Sequence, residues 1–421
     1  MRFKDISREV ATVLSGSVVA QAITLAAYFV LLRIFSPADY GLFTVFYSYI
    51  EVLVIVSTCK YEMGVVAADS DRSAAALGRF ALRLNAILSS LLLAVLAVLT
   101  LAGWLPGKFS QLGWVSMLIA PMVFFLGNNR ILSSLYNRFH HYRAIATSDI
   151  VGALSAAVIK ATLGLLGMNR VGMPLGAVLG QAAANVNYRV GIRRLPLPAV
   201  GSDECRAEAR HHSNYPRYVA PKDFINSFSA NLPFLWLALY FDNASVGLLA
   251  IAVTFVIRPC HIIGAAFERV LFARTAEDVR NGRPVLQPLL RFVALAEGVA
   301  VAVAVVLWLY AEPLMAFCFG DRWSGCGIYI DALLPWAVAL AASLPLMYIP
   351  NIYGTQRTEL FIHLGQLALR IAAIAIGIAT GSFLLGVQLF AAVSALTSFS
   401  LTAWYLTQTS RSHTRRDKAA H

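Results

Sequence analysis

Residues Leu289–Tyr310, LLRFVALAEGVAVAVAVVLWLY, decide the fold: only Arg291 and Glu297 interrupt an apolar run long enough to cross a bilayer. About 20 such residues span the hydrocarbon layer as a helix. In that layer the backbone must satisfy its hydrogen bonds within its own segment, so a lone spanning stretch has to be helical. Because lipid-exposed helices are apolar nearly all round, length assigns such segments and periodicity does not. On that criterion the chain has twelve crossings, near Val10–Leu32, Gly41–Cys59, Leu84–Trp104, Leu112–Leu132, Thr147–Gly167, Val171–Val190, Phe224–Phe241, Ser245–Phe267, Leu289–Tyr310, Tyr329–Ile349, Leu360–Thr380 and Phe383–Leu406.

Composition agrees. The 421 residues are 58% hydrophobic and only 13% charged, with a mean hydropathy of +0.68; soluble domains carry about 25% charged residues. The expected class is an all-α integral membrane protein of about twelve helices in two six-helix bundles, related by a pseudo-two-fold axis along the membrane normal. The division falls at 1–205 and 206–421, with a cytoplasmic linker over about 190–222. The basic N-terminus runs into a full-length span with no small-residue cleavage site, which reads as a retained first helix.

Charge placement sets the expected orientation, with both termini cytoplasmic. The inside segments then hold Arg2, Lys4 and Arg8; Lys60, Arg72 and Arg79; Arg138 and Arg143; Arg193, Arg194, Arg206, Arg210, Arg217 and Lys222; Arg269, Arg274, Arg280, Arg283 and Arg291; Arg357; and Arg411, Arg415, Arg416 and Lys418. The outside loops hold only Arg33, Lys108, Arg170 and Arg322. This is the positive-inside pattern. It accounts for most of the net charge of +12, which in a soluble domain would suggest nucleic acid and here points to anionic membrane lipids. No nucleic-acid partner is expected.

Four cations lie inside the apolar segments: Arg130, Lys160, Arg258 and Arg370. Each would cost roughly 2.5–3.5 kcal/mol at a bilayer centre, so all four are expected to face a protein interior and to line a watered path for an anionic cargo. Polar residues recur at helical spacing around them. Gln21, Thr24 and Tyr28 share one face of the first helix, and Gln181, Asn185 and Tyr188 one face of the sixth. Thr254, Arg258 and His261 do so on the eighth, and His363, Gln366 and Arg370 on the eleventh; Asn231 lies in the seventh. For the uncharged members, helix–helix hydrogen bonding is the competing explanation. The intramembrane acids Glu51 and Glu297 are candidates for a coupling proton or cation, or else structural counter-ions of a buried Arg.

The chain also repeats itself. Phe35-Ser-Pro-Ala-Asp-Tyr-Gly41 and Phe241-Asp-Asn-Ala-Ser-Val-Gly247 lie 206 residues apart, and the same offset sets Tyr61-Glu62 on Phe267-Glu268 at the expected ends of the second and eighth helices. Six helices per copy make the repeat parallel and suggest two bundles enclosing a cavity. Pro121, Pro174, Pro233, Pro259, Pro335 and Pro345 supply expected breaks and bends. The pairs His140-His141 and His211-His212 lack neighbouring ligands at metal spacing, so no metal is expected, nor any cofactor. Cys318 and Cys326 flank an outside segment, where a disulfide in an oxidising compartment and two unpaired thiols are both open, the unpaired state being expected because nothing in the sequence brings the helix ends within bonding distance.

Several stretches resemble a known family. Gly16-Ser-Val-Val-Ala-Gln21, Phe35-Ser-Pro-Ala-Asp-Tyr-Gly-Leu-Phe43 and Lys60-Tyr-Glu62, then Asn231-Leu-Pro233, Val246-Gly-Leu248 and Phe319-Gly-Asp-Arg-Trp323, are similar to the Wzx-like polysaccharide flippases of the multidrug/oligosaccharidyl-lipid/polysaccharide exporter superfamily. The resemblance implies a two-lobed transporter, not an enzyme, in the bacterial inner membrane. It would carry undecaprenyl-pyrophosphate-linked oligosaccharide to the periplasmic leaflet, alongside a polysaccharide polymerase and other assembly proteins. Alternatives are a drug/cation antiporter of the same superfamily, which would favour buried acids over buried cations, and a membrane glycosyltransferase or polymerase, which would usually need a larger soluble loop or a catalytic acid/base set.

Overall fold

A computed structural model describes residues 3–420 apart from 106–108, 193–194 and 282, with side chains over 19–409 apart from 109, 273 and 280. The side chains of Gly16-Ser17-Val18 in the first family-like stretch, and of Arg2, Lys4, Arg8, Lys108, Arg193, Arg194, Arg280, Arg411, Arg415, Arg416 and Lys418 in the charge pattern, lie outside the described residues.

Among the described residues the chain is helical with no strand. In order the helices are α1 (Phe3–Ile34), α2 (Pro37–Thr58), α3 (Tyr61–Ala67), α4 (Asp71–Leu101), α5 (Phe109–Leu112), α6 (Ile119–Arg138), α7 (Tyr142–Leu165), α8 (Asn169–Gly191), α9 (Ser202–His211), α10 (Ala220–Leu232), α11 (Ala238–Tyr240), α12 (Asn243–Arg280), α13 (Leu286–Phe319), α14 (Gly327–Ser343), α15 (Ile349–Tyr353), α16 (Gln356–Ala379) and α17 (Phe383–Ala420). Every expected crossing falls on helix. Nine of the helical stretches among the described residues are long and apolar enough to cross a membrane unaided, and the protein is a multi-pass membrane protein. Of the other three expected crossings, α1 has described side chains only from Val19 onward, where Val19–Ile34 is apolar; α8 carries Gln181, Asn185 and Asn187, and the seventh crossing is interrupted after α10 by a wide turn at Pro233–Leu237. Proline lacks the N–H that a continuous helix needs there.

The repeated segments turn out to be equivalent helix starts. Ser36 caps α2: its Oγ accepts the Asp39 N–H at 3.2 Å, while Asp39 Oδ2 accepts the Ser36 N–H at 3.1 Å. Asp242 caps α12 by accepting the Ser245 N–H at 2.9 Å. Both use a short side-chain acceptor to satisfy a first-turn donor. The second repeated pair differs. Cys59 and Lys60 adopt left-handed φ of 48° and 60°, so α2 stops and α3 restarts at Tyr61. By contrast Phe267-Glu268 lies inside α12, which runs on to Arg280, and is not a helix end.

The chain forms two compact units, Met1–Asn231 and Leu232–His421. The division comes later than the boundary at 205 because the linker packs on the first unit. Helix α9 turns Cys205 and Ala209 inward, Arg72 bonds Glu204 at 2.6 Å, and the Ser73 hydroxyl bonds Glu208 at 2.8 Å. The Arg72 guanidinium, and then the Gly201 N–H, hold the Glu204 carboxyl below the usual carboxylate range. A depressed value means that this contribution is full above an ordinary Glu pKa of about 4.3 and is lost as pH falls through the lower folded value. Protection of the 202–211 amides, relative to their intrinsic exchange rates at each pH, is therefore expected to fall only below about pH 4; equal protection at low and neutral pH would show that the pair does not hold the linker.

Within the first unit α7 and α8 pack along their length, α7 also packs on α1, and an apolar core joins Phe46 and Ile50 of α2 to Ile119 and Met122 of α6. The α7–α8 contact is built on small residues. A Cβ on Gly180 would lie 2.5 Å from Ala156 Cβ and 2.8 Å from the Gly152 carbonyl oxygen, and one on Gly176 would lie 2.5 Å from Lys160 Cγ. With Gly172 these form a Gly-xxx-Gly-xxx-Gly stripe, which brings membrane helices together through backbone contact. In the second unit α14 packs on α17, α13 and α12, and α16 packs on α17.

Candidate functional site

In the first unit, Lys160 on α7 reaches across the gap left by Gly176 and sets its Nζ 4.5 Å from the centre of the Phe43 ring on α2. It makes no ion pair with any described residue, so the ring face is its electrostatic partner. Arg130 on α6 is half-buried and makes no hydrogen bond or ion pair with the described residues. Beside it the polar stripe is engaged in helix contacts. Asn129 Nδ2 donates to Gln181 Oε1 at 2.8 Å and to the Gln181 carbonyl at 2.9 Å, Asn185 Nδ2 donates to Asn129 Oδ1 at 2.9 Å, and Arg189 Nε donates to Asn185 Oδ1 at 2.9 Å. Thus Gln181 and Asn185 fasten α8 to α6. On α1, Gln21 is exposed and Tyr28 half-buried, the latter accepting the Tyr40 hydroxyl at 3.2 Å.

Glu51, half-buried on α2, accepts from Asn231 Nδ2 on α10 at 2.9 Å. Two turns along α10, Asp223 pairs with Lys60 Nζ at 2.8 Å. As the number rises on α2 it falls on α10, so the helices run antiparallel and are joined by one neutral–acid rung and one ionic rung. Lys60 also lies 3.9 Å from Glu62, whose Oε2 is buried without a hydrogen-bond partner. Sequence reading placed Glu51 and Asn231 on separate lists. Their partnership spans 180 residues, which no local spacing reveals.

In the second unit, Arg370 on α16 is only 7% exposed. Its Nε donates to Ser394 Oγ on α17 at 2.9 Å, and its guanidinium carbon lies 4.9 Å from the Phe390 ring centre and 5.4 Å from that of Trp336 on α14. Trp336 Nε1 is itself buried without a partner. One turn before Arg370, Gln366 Nε2 donates to Thr397 Oγ1 at 2.7 Å. Arg258 and His261 are exposed on α12, so Arg258 does not share the enclosed position expected for all four cations: helical spacing sets it on the side of α12 away from the face that packs on α14. Glu297 on α13 is half-buried and has no hydrogen bond or ion pair among the described residues. The second unit thus brings together Arg370 and Trp336, a guanidinium and an indole N–H suited to negative charge. Trp336 and Ser394 escaped the sequence reading because a lone tryptophan or serine in an apolar span ordinarily packs.

Cys318 and Cys326 are free thiols, and Cys326 Sγ donates to the Leu248 carbonyl at 3.4 Å. The His211 and His212 rings meet edge to face, and His212 stacks on Tyr215.

This arrangement of apolar helices holding sparse cations is a polytopic membrane fold, and solved structures share that fold. The chain matches the lipid II flippase MurJ in an inward closed conformation with a TM-score of 0.73 at 9% identity, over 95% of this chain and 87% of that one. It matches an inward-facing multidrug resistance MATE family transporter of the MOP superfamily with a TM-score of 0.66 at 13% identity, over 93% and 95%. A MOP superfamily transporter from Pyrococcus furiosus, described as having a binding pocket of reversed polarity, gives 0.63 at 13% identity, over 96% and 95%. No curated protein matches the sequence. Residues 30–327 match the model of a family described as polysaccharide biosynthesis protein, and the chain belongs to that family.

Proposed function

We propose that this protein is a flippase that passes undecaprenyl-pyrophosphate-linked oligosaccharide from the cytoplasmic to the periplasmic leaflet of the bacterial inner membrane, for a surface polysaccharide such as the O-antigen of lipopolysaccharide. The observation that carries the reading is the buried cation of the second unit, Arg370, held against Ser394 and two aromatic rings. A guanidinium offers paired donors to phosphate oxygens. The glycan must be shielded from hydrocarbon, because each hydroxyl there would lose its hydrogen bonds. The first unit adds Lys160 and Arg130. Alternating access would move the head group, with Glu51 or Glu297 as the group that couples a proton or cation. Both termini would be cytoplasmic, and a polysaccharide polymerase would receive the product.

The test is the sidedness of the lipid-linked oligosaccharide in cells, read with a glycan-modifying probe that does not cross the inner membrane. Loss of the protein is expected to strand completed oligosaccharide on the cytoplasmic leaflet. Arg370→Gln, expressed at normal level, is expected to lower the accessible fraction by roughly tenfold or more, since a charge-assisted hydrogen bond contributes about 1.5–3 kcal/mol. Normal sidedness without the protein would overturn the assignment.

A further inference from the structure

The second unit contains a groove of about 440 Å³ between α12, α13 and α14, and its walls are almost wholly apolar. Helices α12 and α13 both pack on α14 and meet each other through two ring pairs, Phe255 with Phe319 at 5.2 Å and Phe267 with Phe292 at 5.3 Å between centres. On α13 the groove face carries Ala296, Ala300 and Ala304 at four-residue spacing, and on α12 it carries Phe255, Pro259 and Ile263. The alanines leave open the volume that larger side chains would fill. The lined stretch runs from Phe255 to Phe267 on α12 and from Phe292 to Leu307 on α13, or about 18 Å and about 22 Å at 1.5 Å per residue. Leu295, Val299 and Val303 are 70%, 57% and 54% exposed, so the groove is open along its length.

The other side of α12 indicates what would lie there. At 3.6 residues per turn, Thr254, Arg258 and His261 fall about half a turn round from the groove face, and Arg258 and His261 are exposed there. One helix therefore presents a hydrocarbon face and, back to back with it, a polar face that carries the Arg258 cation. Those faces match the two parts of a polyprenyl diphosphate, an apolar chain ending in a multiply charged anion. We infer that the α12–α13 groove binds the polyprenyl chain of the lipid carrier, with α12 as the partition between chain and diphosphate. This rests on the flippase reading above and adds to it a site for the tail.

The test compares binding of undecaprenyl diphosphate, geranyl diphosphate and phosphatidylglycerol to the full-length protein in detergent. The two diphosphates share a head and differ in chain length; the phospholipid supplies ordinary acyl chains. At about 0.8 kcal/mol per buried methylene, even a few more buried groups give the long chain roughly a tenfold advantage over the short one. Ala300→Phe and Ala304→Leu, which fill the groove, are expected to remove that advantage while leaving geranyl diphosphate binding unchanged. Val301→Phe, on the opposite face of α13, is expected to keep it. If both groove variants retain the long-chain preference, or if phosphatidylglycerol displaces undecaprenyl diphosphate at equal concentration, the groove holds bulk lipid and the inference fails. Geranyl diphosphate binding without any long-chain preference overturns the groove and spares the flippase reading; failure of either diphosphate to bind overturns both.

Discussion

Gly180→Leu is expected to reduce the yield of folded protein sharply and to lower its thermal midpoint, with Gly180→Ala giving a smaller effect in the same direction. Even the first added carbon would meet Ala156 Cβ at 2.5 Å and the Gly152 carbonyl oxygen at 2.8 Å, atoms of a facing helix that cannot rotate away. Overpacking of this kind costs about 1–3 kcal/mol, and more when backbones must part, against a total stability of about 5–15 kcal/mol. Parting α7 from α8 would also withdraw Lys160 from Phe43, because the lysine crosses the same interface one helical turn away, at Gly176. The measurement is a thermal unfolding midpoint in detergent, with ligand binding assayed on whatever folds. An unchanged midpoint for the leucine variant would mean that the two helices are not held by their glycine stripe.

Glu51→Gln is expected to lower the transport rate by roughly tenfold or more, about the effect of losing 1.4 kcal/mol of driving interaction, while leaving the unfolding midpoint close to that of the parent. The substitution keeps an oxygen that can accept from Asn231 Nδ2, now at 2.9 Å, and removes the capacity to exchange a proton or bind a cation. It therefore separates the two roles open to an intramembrane acid. If Glu51 serves only to fasten α10 to α2, glutamine will support transport at the parent rate and the coupling role is lost. Asn231→Ala provides the complementary comparison: it leaves the carboxylate without its amide donor but keeps the Lys60–Asp223 pair just past the end of α2 and the packing of Ala220 on Val54 and Ile55. The readout for both variants is transport in cells at matched expression, with its dependence on an imposed proton gradient.

The helices were legible in the sequence because bilayer thickness and backbone satisfaction leave a long apolar stretch few alternatives. The extended α12 was less so: Phe267-Glu268 looks like a helix end by comparison with Tyr61-Glu62, yet only the latter follows two left-handed residues. Backbone geometry, not residue type, made the difference. The site was legible in part. Burial cost picked out Arg130, Lys160, Arg258 and Arg370 but could not separate Arg370, enclosed by Trp336, Phe390 and Ser394, from Arg258, exposed on α12. Helical spacing picked out Gln181 and Asn185, and the structure shows their amides bonded to Asn129.

By itself, then, the sequence determined the class of protein, the crossing segments and which charges are costly in lipid, since each of these follows from the free energy of a residue or short segment in hydrocarbon. Tertiary structure alone decided which of those groups have partners: Glu51 with Asn231, Lys160 with Phe43, Arg370 with Ser394, and the α12 faces that separate apolar groove from the Arg258 cation. Such pairings depend on how distant helices pack; for Lys160 it is the close backbone approach at Gly176 and Gly180 that sets its path toward Phe43.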